Sequence, residues 1–132
     1  MTLQIPPNCD LTLGLTCIEK STPGTTVWTM VADERMANPA GLIQGGFLAA
    51  MADSAMGASA VTALEGRRAS VVNTEMTVSL LGAVRPGERL TCTARVLKAG
   101  KAVIFVEAHI VDGEGRGVAR AHSSFLARTR AE

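Results

Sequence analysis

The fold is decided by residues 38–64, NPAGLIQGGFLAAMADSAMGASAVTAL, which combine a turn-rich entry with a long run of small and apolar residues. Proline and glycine punctuate the entry, and no lysine, arginine or proline lies between Gly41 and Leu64. This pattern predicts a helix of about five turns that is apolar or small around its whole circumference. Because solvent cannot cover such a helix, the rest of the chain is expected to wrap around it.

The one charged residue of this helix is Asp53. A carboxylate that is buried without a partner is strongly unfavourable. Asp53 is therefore expected to be hydrogen-bonded, to face water, or to take part in chemistry.

Strand patterns lie on both sides of the helix. Residues 1–10 predict an irregular lead-in, residues 11–19 alternate apolar and polar side chains with a period of two, and residues 25–32 are rich in β-branched and large side chains. Beyond an expected helix stop at Gly66, four more strand patterns cover residues 73–81, 89–97, 102–111 and 117–127.

Ala99-Gly100 and Asp112-Gly113 are typical hairpin turns, so the last three strands are predicted to be consecutive antiparallel neighbours. The predicted order is β-β-α-β-β-β-β within one domain spanning residues 1–132. We therefore predict an α+β fold in which a six-stranded antiparallel β-sheet wraps around one long central α-helix.

Charge is unevenly distributed although the formal net charge is only +1. The first 62 residues hold two basic and five acidic side chains, and the remainder holds 11 and seven. The basic residues occur singly or in pairs without interleaved aromatics, which argues against nucleic-acid binding and fits a small phosphorylated ligand. Ordinary solvated surface charge is the alternative.

Three cysteines, Cys9, Cys17 and Cys92, form no CxxC motif, so neither a disulfide framework nor a zinc site is indicated. The sequence begins without a basic segment followed by an apolar run, which predicts no signal peptide and a reducing cytoplasmic location. Residues 47–64 have the length of a membrane span, but Asp53 near their middle favours a core helix and no membrane association.

The element order, together with NPAGLIQGGFLAAMADSAMG at residues 38–57, resembles the hotdog fold and, within it, the PaaI-like acyl-CoA thioesterases of the phenylacetate-degradation type. The most specific part of the family pattern is an Asn, a Gly-Gly pair beginning seven residues later and preceded by His, and an Asp eight residues beyond the first Gly. These positions are Asn38, Gly45-Gly46 and Asp53 here, with Gln44 in place of the usual His. The strand near Asn73 and Thr74 resembles the family's third strand, where a polar residue lines the site.

The same residues have a physical interpretation. Free amide groups at a helix start favour partial negative charge, so Gly45 can polarise a thioester carbonyl, and Gly46 leaves room for the substrate to approach. Asp53 can then attack the carbonyl carbon or activate a water molecule. Eight helical residues separate Gly45 from Asp53 by roughly 12 Å, too far for both to contact one carbonyl.

Two copies packed with their helices antiparallel would bring the helix start of one chain to the helix middle of the other. We therefore expect a dimer in which Asn38, Gln44 and Gly45 face Asp53 of the second copy, and the resemblance implies the same shared site. The Gln44 amide can donate and accept a hydrogen bond, so it preserves positioning but not proton transfer.

The resemblance further implies an acyl-CoA substrate, no metal and no separate cofactor, and a homo-oligomer that is a dimer or a dimer of dimers. It places coenzyme A phosphates near basic loop positions, here Arg67, Arg68, Lys98 and Lys101. Aryl and aliphatic acyl groups both remain open. The alternatives are a hotdog dehydratase, whose usual His and acid pair is missing, and a non-catalytic acyl-CoA-binding or scaffolding protein.

Overall fold

A computed structural model describes residues 5–64 and 69–129 of the chain. Its elements are α1 (Asn8–Leu13), β1 (Thr16–Glu19), β2 (Thr25–Val31), a 3₁₀ turn (Glu34–Met36), α2 (Gly45–Ala63), β3 (Ala69–Leu80), β4 (Arg89–Ala99), β5 (Val103–Val111) and β6 (Gly117–Thr129). The strands form one antiparallel sheet in the order β1-β2-β4-β5-β6-β3. The predicted hotdog fold and the antiparallel pairing of its last three strands are confirmed.

One face of α2 packs against the sheet. Its buried residues recur at intervals of three and four, which places them on one side of the helix. They are Leu48, Met51, Ala52, Ala55, Met56, Ser59 and Ala60. The sheet thus covers one face of α2 and not its whole circumference, since Gly46, Asp53 and Val61 are exposed.

A buried polar network fixes α2 on the sheet. The hydroxyls of Thr26 and Ser59 lie 2.7 Å apart, and the Ser59 hydroxyl donates to the Ala94 carbonyl at 3.0 Å. The Thr26 hydroxyl also contacts the Ala55 carbonyl at 3.1 Å and accepts from Nε1 of Trp28 at 2.9 Å. Because buried polar groups are stable only when hydrogen-bonded, this network defines the position of α2 relative to β2 and β4.

The sequence-based assignment at the start of the chain is wrong in part. Residues 11–19 were expected to form one strand, but α1 runs to Leu13 and β1 begins only at Thr16. Gly14 separates the two elements in a left-handed conformation (φ 69°), and its amide caps α1. A helix of six residues is too short to show a 3.6-residue period, so the alternation of Leu11, Leu13 and Leu15 resembles a strand.

Strand β3 is longer than predicted and carries a β-bulge. It begins at Ala69, and Thr74 is the extra residue between the pairs Asn73–Phe125 and Glu75–Ser124. The bulge changes the phase of the alternation: Val71 and Asn73 are half-buried before it, Met76 and Val78 after it. The helix stop expected at Gly66 lies outside the described residues, and α2 ends at Ala63.

Candidate active site

Asp53 lies near the middle of α2, and its side chain is solvent-exposed. Its Oδ1 accepts a hydrogen bond of 2.8 Å from Nδ2 of Asn73 on β3. The carboxylate is therefore both hydrogen-bonded and accessible to water, two of the three states that the sequence left open. An accessible carboxylate held by one donor is free to accept a proton or attack a carbonyl through its other oxygen.

Asn73 connects Asp53 to the sheet. Besides Asp53, its Nδ2 lies 3.3 Å from Oγ of Ser123 on β6 and 3.9 Å from the sulfur of Met76. Its Oδ1 is buried, and none of the described residues provides it with a hydrogen-bond partner. The bulge at Thr74 brings Asn73 and Met76 to the same face of β3, and this feature was not predicted from the sequence.

Asn38 shapes the loop that leads into α2. Its Oδ1 accepts from the backbone amides of Ala40 at 2.9 Å and Leu42 at 3.1 Å. The backbone amide of Asn38 donates to the Leu42 carbonyl at 2.7 Å. Such Asx hydrogen bonds fix a tight turn. The amide of Ile43 then donates to the Val84 carbonyl at 2.8 Å, which anchors the loop next to the helix start.

Gln44 is the N-cap of α2, and its side chain is exposed and makes no capping hydrogen bond. Its backbone is extended (φ −63°, ψ 132°), and its amide donates to the Met36 carbonyl at 2.8 Å. The Phe47 amide donates to the Gln44 carbonyl at 3.0 Å. The amides of Gly45 and Gly46 precede it and have no intrahelical acceptor, and the Gln44 side chain does not cap them. They point along the positive end of the helix dipole, where a carbonyl oxygen that gains negative charge is stabilised.

The two glycines at the helix start differ in their surroundings. A Cβ at Gly45 would overlap with Cδ1 of Leu80 on β3, whereas a Cβ at Gly46 would meet no atom within 4 Å. Gly45 therefore leaves room for the Leu80 side chain, and Gly46 leaves open space next to the helix start.

The predicted site residues form two groups within the chain. Asn38, Gln44 and Gly45 lie together at the start of α2, while Asp53 and Asn73 lie eight helical residues away, roughly 12 Å along the axis. One described chain therefore contains both halves of the predicted site without bringing them to one point.

The remaining predicted substrate-binding residues are exposed or lie outside the described residues. Thr74 is exposed on the bulge and donates to the Ser124 carbonyl at 2.8 Å. Lys98 is exposed on β4, and Lys101 is exposed in the turn that follows. Arg67 and Arg68 lie outside the described residues.

The structure also contains a cavity that sequence reasoning missed. It has a volume of about 880 Å³ and is lined by α1, β1, β2 and one face of α2. Asp53, Gly57, Val61 and Trp28 are among its lining residues. The cavity was missed because α1, which forms one wall, was predicted as strand and irregular chain; the unexplained Gly57 inside a helix was the available signal.

The titratable groups with shifted pKa values lie outside α2. The Arg95 guanidinium donates a hydrogen bond of 2.7 Å to the Glu107 carboxylate and lowers its pKa. The backbone amide of Arg116 lowers the pKa of Asp112 in the same way. Burial raises the pKa of the Cys92 thiol to about 12, so this cysteine is unreactive in the folded chain. Within the described ranges, no group of three or more His, Cys, Asp and Glu side chains is arranged to hold a metal ion.

Comparison with known proteins identifies the class. The family model of the thioesterase superfamily matches residues 40–119, which include Gln44, Gly45 and Asp53. Human acyl-coenzyme A thioesterase 13 is 28% identical over 105 residues, 80% of this chain and 74% of that protein.

Two solved structures support the same class. The E. coli PaaI protein of the phenylacetic acid degradation operon superposes with a TM-score of 0.84 at 26% identity, covering 91% of this chain and 83% of that one. AziG of S. sahachiroi superposes with a TM-score of 0.84 at 27% identity, covering 91% of this chain and 95% of that one. Fold, family match and relatives together define a hotdog-fold thioester hydrolase of the PaaI-like type. The chain belongs to the thioesterase superfamily.

Neither helix in the described part of the chain is long and apolar enough to cross a membrane.

Proposed function

We propose that the chain is an acyl-CoA thioesterase that hydrolyses its substrate to a free acid and coenzyme A. Asp53 acts as the base or nucleophile, and the Gly45 amide polarises the thioester carbonyl. The observation that carries this proposal is the placement of Asp53, the one charged residue of α2, exposed to solvent and held by Asn73 eight residues beyond an uncapped helix start. The similarity to human acyl-coenzyme A thioesterase 13 supports coenzyme A as the thiol of the substrate.

The chemistry needs little beyond these groups. A thiolate is a good leaving group, so hydrolysis requires an activated water or a carboxylate nucleophile and a donor for the developing oxyanion. Asp53 activates the water or is itself the nucleophile, and the amides at the helix start donate to the oxyanion. No separate metal or organic cofactor is part of this proposal, and the action takes place in the cytoplasm.

Replacement of Asp53 by Asn tests the catalytic role. Asn keeps the size of the side chain and a hydrogen-bond acceptor but cannot take up a proton or attack, so kcat should fall by at least about a thousandfold while binding of the acyl-CoA persists. Turnover is measured as coenzyme A thiol released from a panel of acyl-CoAs with DTNB, after subtraction of the protein's own thiols. Glu114→Gln neutralises an exposed carboxylate in the β5–β6 turn and is the matched control.

The outcomes separate the candidate functions. Hydrolysis by Asp53→Asn at the parent rate would refute the role of Asp53. Binding of acyl-CoA by the parent without any thiol release would instead support the alternative, a non-catalytic acyl-CoA-binding or scaffolding protein.

We also propose that two chains share each site, with Asn38, Gln44 and Gly45 of one protomer facing Asp53 of the other. Two observations support this arrangement. Gly45 and Asp53 are roughly 12 Å apart on one rigid helix. Among the described strands, β3 is last in the sheet order and pairs with β6 alone, which leaves its other edge available for a second copy. A dimer is thus the minimum active unit, whether or not two dimers associate further.

Complementation between two inactive variants tests the shared site. Gly45→Pro removes the amide hydrogen at the first helical position, where proline is tolerated, and the extended backbone of Gln44 suits the residue before a proline. Because a Cβ at this position meets Leu80, the variant is made together with Leu80→Ala, and Leu80→Ala alone is the control.

Mixing Gly45→Pro/Leu80→Ala with Asp53→Asn in equal amounts and allowing the subunits to exchange creates heterodimers with one intact site each. Random pairing predicts recovery of about a quarter of the Leu80→Ala activity. No recovery, despite heterodimers detected by native mass spectrometry, would show that each site lies within one chain.

A further inference from the structure

The cavity of about 880 Å³ begins at the proposed catalytic carboxylate. Its lining residues on α2 share one helical face, because they form adjacent pairs that repeat every four residues. They are Asp53, Ser54, Gly57, Ala58, Val61 and Thr62. From Asp53 to Thr62 the helix rises by roughly 13 Å, so the cavity extends from the carboxylate toward the C-terminal end of α2.

The walls opposite α2 are largely apolar. Leu11 of α1, Leu15 after it, Trp28 of β2 and Val71 of β3 contribute carbon surface. The Thr26 hydroxyl also lines the cavity, but it is already hydrogen-bonded to Trp28 and to α2. Besides Asp53, the described lining holds the charged residues Asp10, which is buried, and Lys20, which is exposed.

Gly57 is the feature of this cavity that needs an explanation. Glycine is among the least favourable residues in the interior of a helix, so its presence one turn beyond Asp53 requires a reason. The backbone does not require it, since Gly57 has no positive φ. Packing does not require it either, because an added Cβ would meet only Cε1 of Phe125, at an ordinary contact distance of 3.7 Å. What the missing side chain provides is space in the cavity next to Asp53.

We propose that this cavity receives the acyl part of the thioester and that Gly57 is the residue that determines its specificity for large apolar acyl groups. The inference rests on the proposed function, because the thioester carbon must lie at Asp53 for the acyl group to extend past Gly57. A cavity of this size and polarity matches a medium-chain aliphatic or an arylalkyl group and is poorly filled by acetyl. Both larger groups present apolar surface to the apolar walls, and octanoyl-CoA and phenylacetyl-CoA distinguish them in the test below.

Substitutions of graded size at Gly57 test the proposal with acetyl-CoA, octanoyl-CoA and phenylacetyl-CoA. The parent should hydrolyse at least one of the two larger substrates with a kcat/KM at least about tenfold above that for acetyl-CoA. Gly57→Leu should lower kcat/KM for that substrate at least about tenfold more than it lowers kcat/KM for acetyl-CoA. For the larger substrate, the kcat/KM of Gly57→Ala should lie between those of the parent and Gly57→Leu. Its Tm should be higher than that of the parent, since alanine is the better helix former.

Gly113→Leu is the matched control. Gly113 lies in the exposed β5–β6 turn, has no positive φ, and an added Cβ there meets no atom within 4 Å. This variant should retain the parent preference among the three substrates. An equal loss on all three substrates in Gly57→Leu, or a parent that prefers acetyl-CoA, would overturn the role of Gly57.

A binding measurement separates failure of this inference from failure of the proposed function. By calorimetry, the parent cavity should bind octanoic or phenylacetic acid, and Gly57→Leu should weaken that binding at least about tenfold. If the parent releases no thiol from any acyl-CoA but shows this difference in binding, the hydrolytic function fails and the apolar cavity stands. If thiol is released but neither acid binds in the cavity, the inference fails and the hydrolytic function stands.

Discussion

Nδ2 of Asn73 lies 2.8 Å from Oδ1 of Asp53, which joins the edge strand of the sheet to the carboxylate in the middle of α2. This contact also defines the orientation of the Asn73 amide. If the amide were reversed, its oxygen would face a carboxylate oxygen, and the two would repel each other. The orientation that serves Asp53 leaves Oδ1 of Asn73 buried without a partner among the described residues. An unmet buried acceptor is destabilising, so the proposed function assigns Asn73 the role of holding Asp53, in addition to its contact with Ser123.

We therefore predict that Asn73→Ala lowers kcat roughly tenfold, because the carboxylate loses the donor that orients it. KM should change by less than about twofold, and Tm should change little, because removal of the unpartnered acceptor offsets loss of the contact with Ser123. Steady-state kinetics and thermal unfolding monitored by circular dichroism measure the two effects. Thr93→Ala, at an exposed position of β4, is the control. A drop in Tm with an unchanged kcat would instead assign Asn73 a structural role.

Gln44 provides a second prediction, because its exposed side chain makes no capping hydrogen bond in α2. Under the proposed function, the Gln44 side-chain amide donates or accepts one hydrogen bond to the substrate. Gln44→Ala should lower kcat/KM about fivefold to tenfold, the usual effect of one such bond, without a change in Tm.

Gln44→His tests what the usual family residue would add. If this position only orients the substrate, Gln44→His should stay within about threefold of the parent between about pH 5.5 and pH 8. A rise of more than about tenfold that follows the titration of an imidazole would show that a proton-transferring residue improves this site.

The sequence was most informative where a pattern extends over many residues. The run of small and apolar residues predicted the long helix that packs on the sheet, and the turns at Gly100 and Gly113 predicted the pairing of the last three strands. Short and tertiary features were not predictable in this way. α1 has six residues and shows no period, and the bulge at Thr74 is one extra residue that only the pairing with β6 reveals.

The residues of the candidate site also differ in how far the sequence could predict them. Asn38, Gly45 and Asp53 could be chosen because their joint spacing resembles the family pattern, and the fixed rise per helical residue gave the separation of Gly45 from Asp53. Asn73 could only be placed near the site, since its contact with Asp53 spans 20 residues and depends on the bulge. The cavity at Gly57 lies between α1 and α2 and is a property of their packing.

Asp112 provides the last prediction, which concerns stability in acid. It is buried in the β5–β6 turn, where its Oδ1 accepts from the amides of Arg116 at 2.9 Å and Glu114 at 3.0 Å. Its Oδ2 lies 3.0 Å from Nε of Arg116. These donors, the Arg116 amide first, hold the pKa of the Asp112 carboxyl below its usual range.

Because the unfolded chain binds a proton at Asp112 at a higher pH than the folded chain does, unfolding takes up a proton in acid. The stabilisation by Asp112 should be complete above the ordinary aspartate pKa and lost as the pH falls through the lower folded pKa. Asp112→Asn retains one acceptor oxygen but not the charge, so it should unfold at a lower Tm than the parent at about pH 7, and the difference should shrink toward about pH 2.5. Circular dichroism melts across this range measure the difference, with Glu114→Gln, in the same turn, as the control. A gap between parent and Asp112→Asn that is constant with pH would mean that the geometry of the Asp112 turn, and not its charge, stabilises the β5–β6 hairpin.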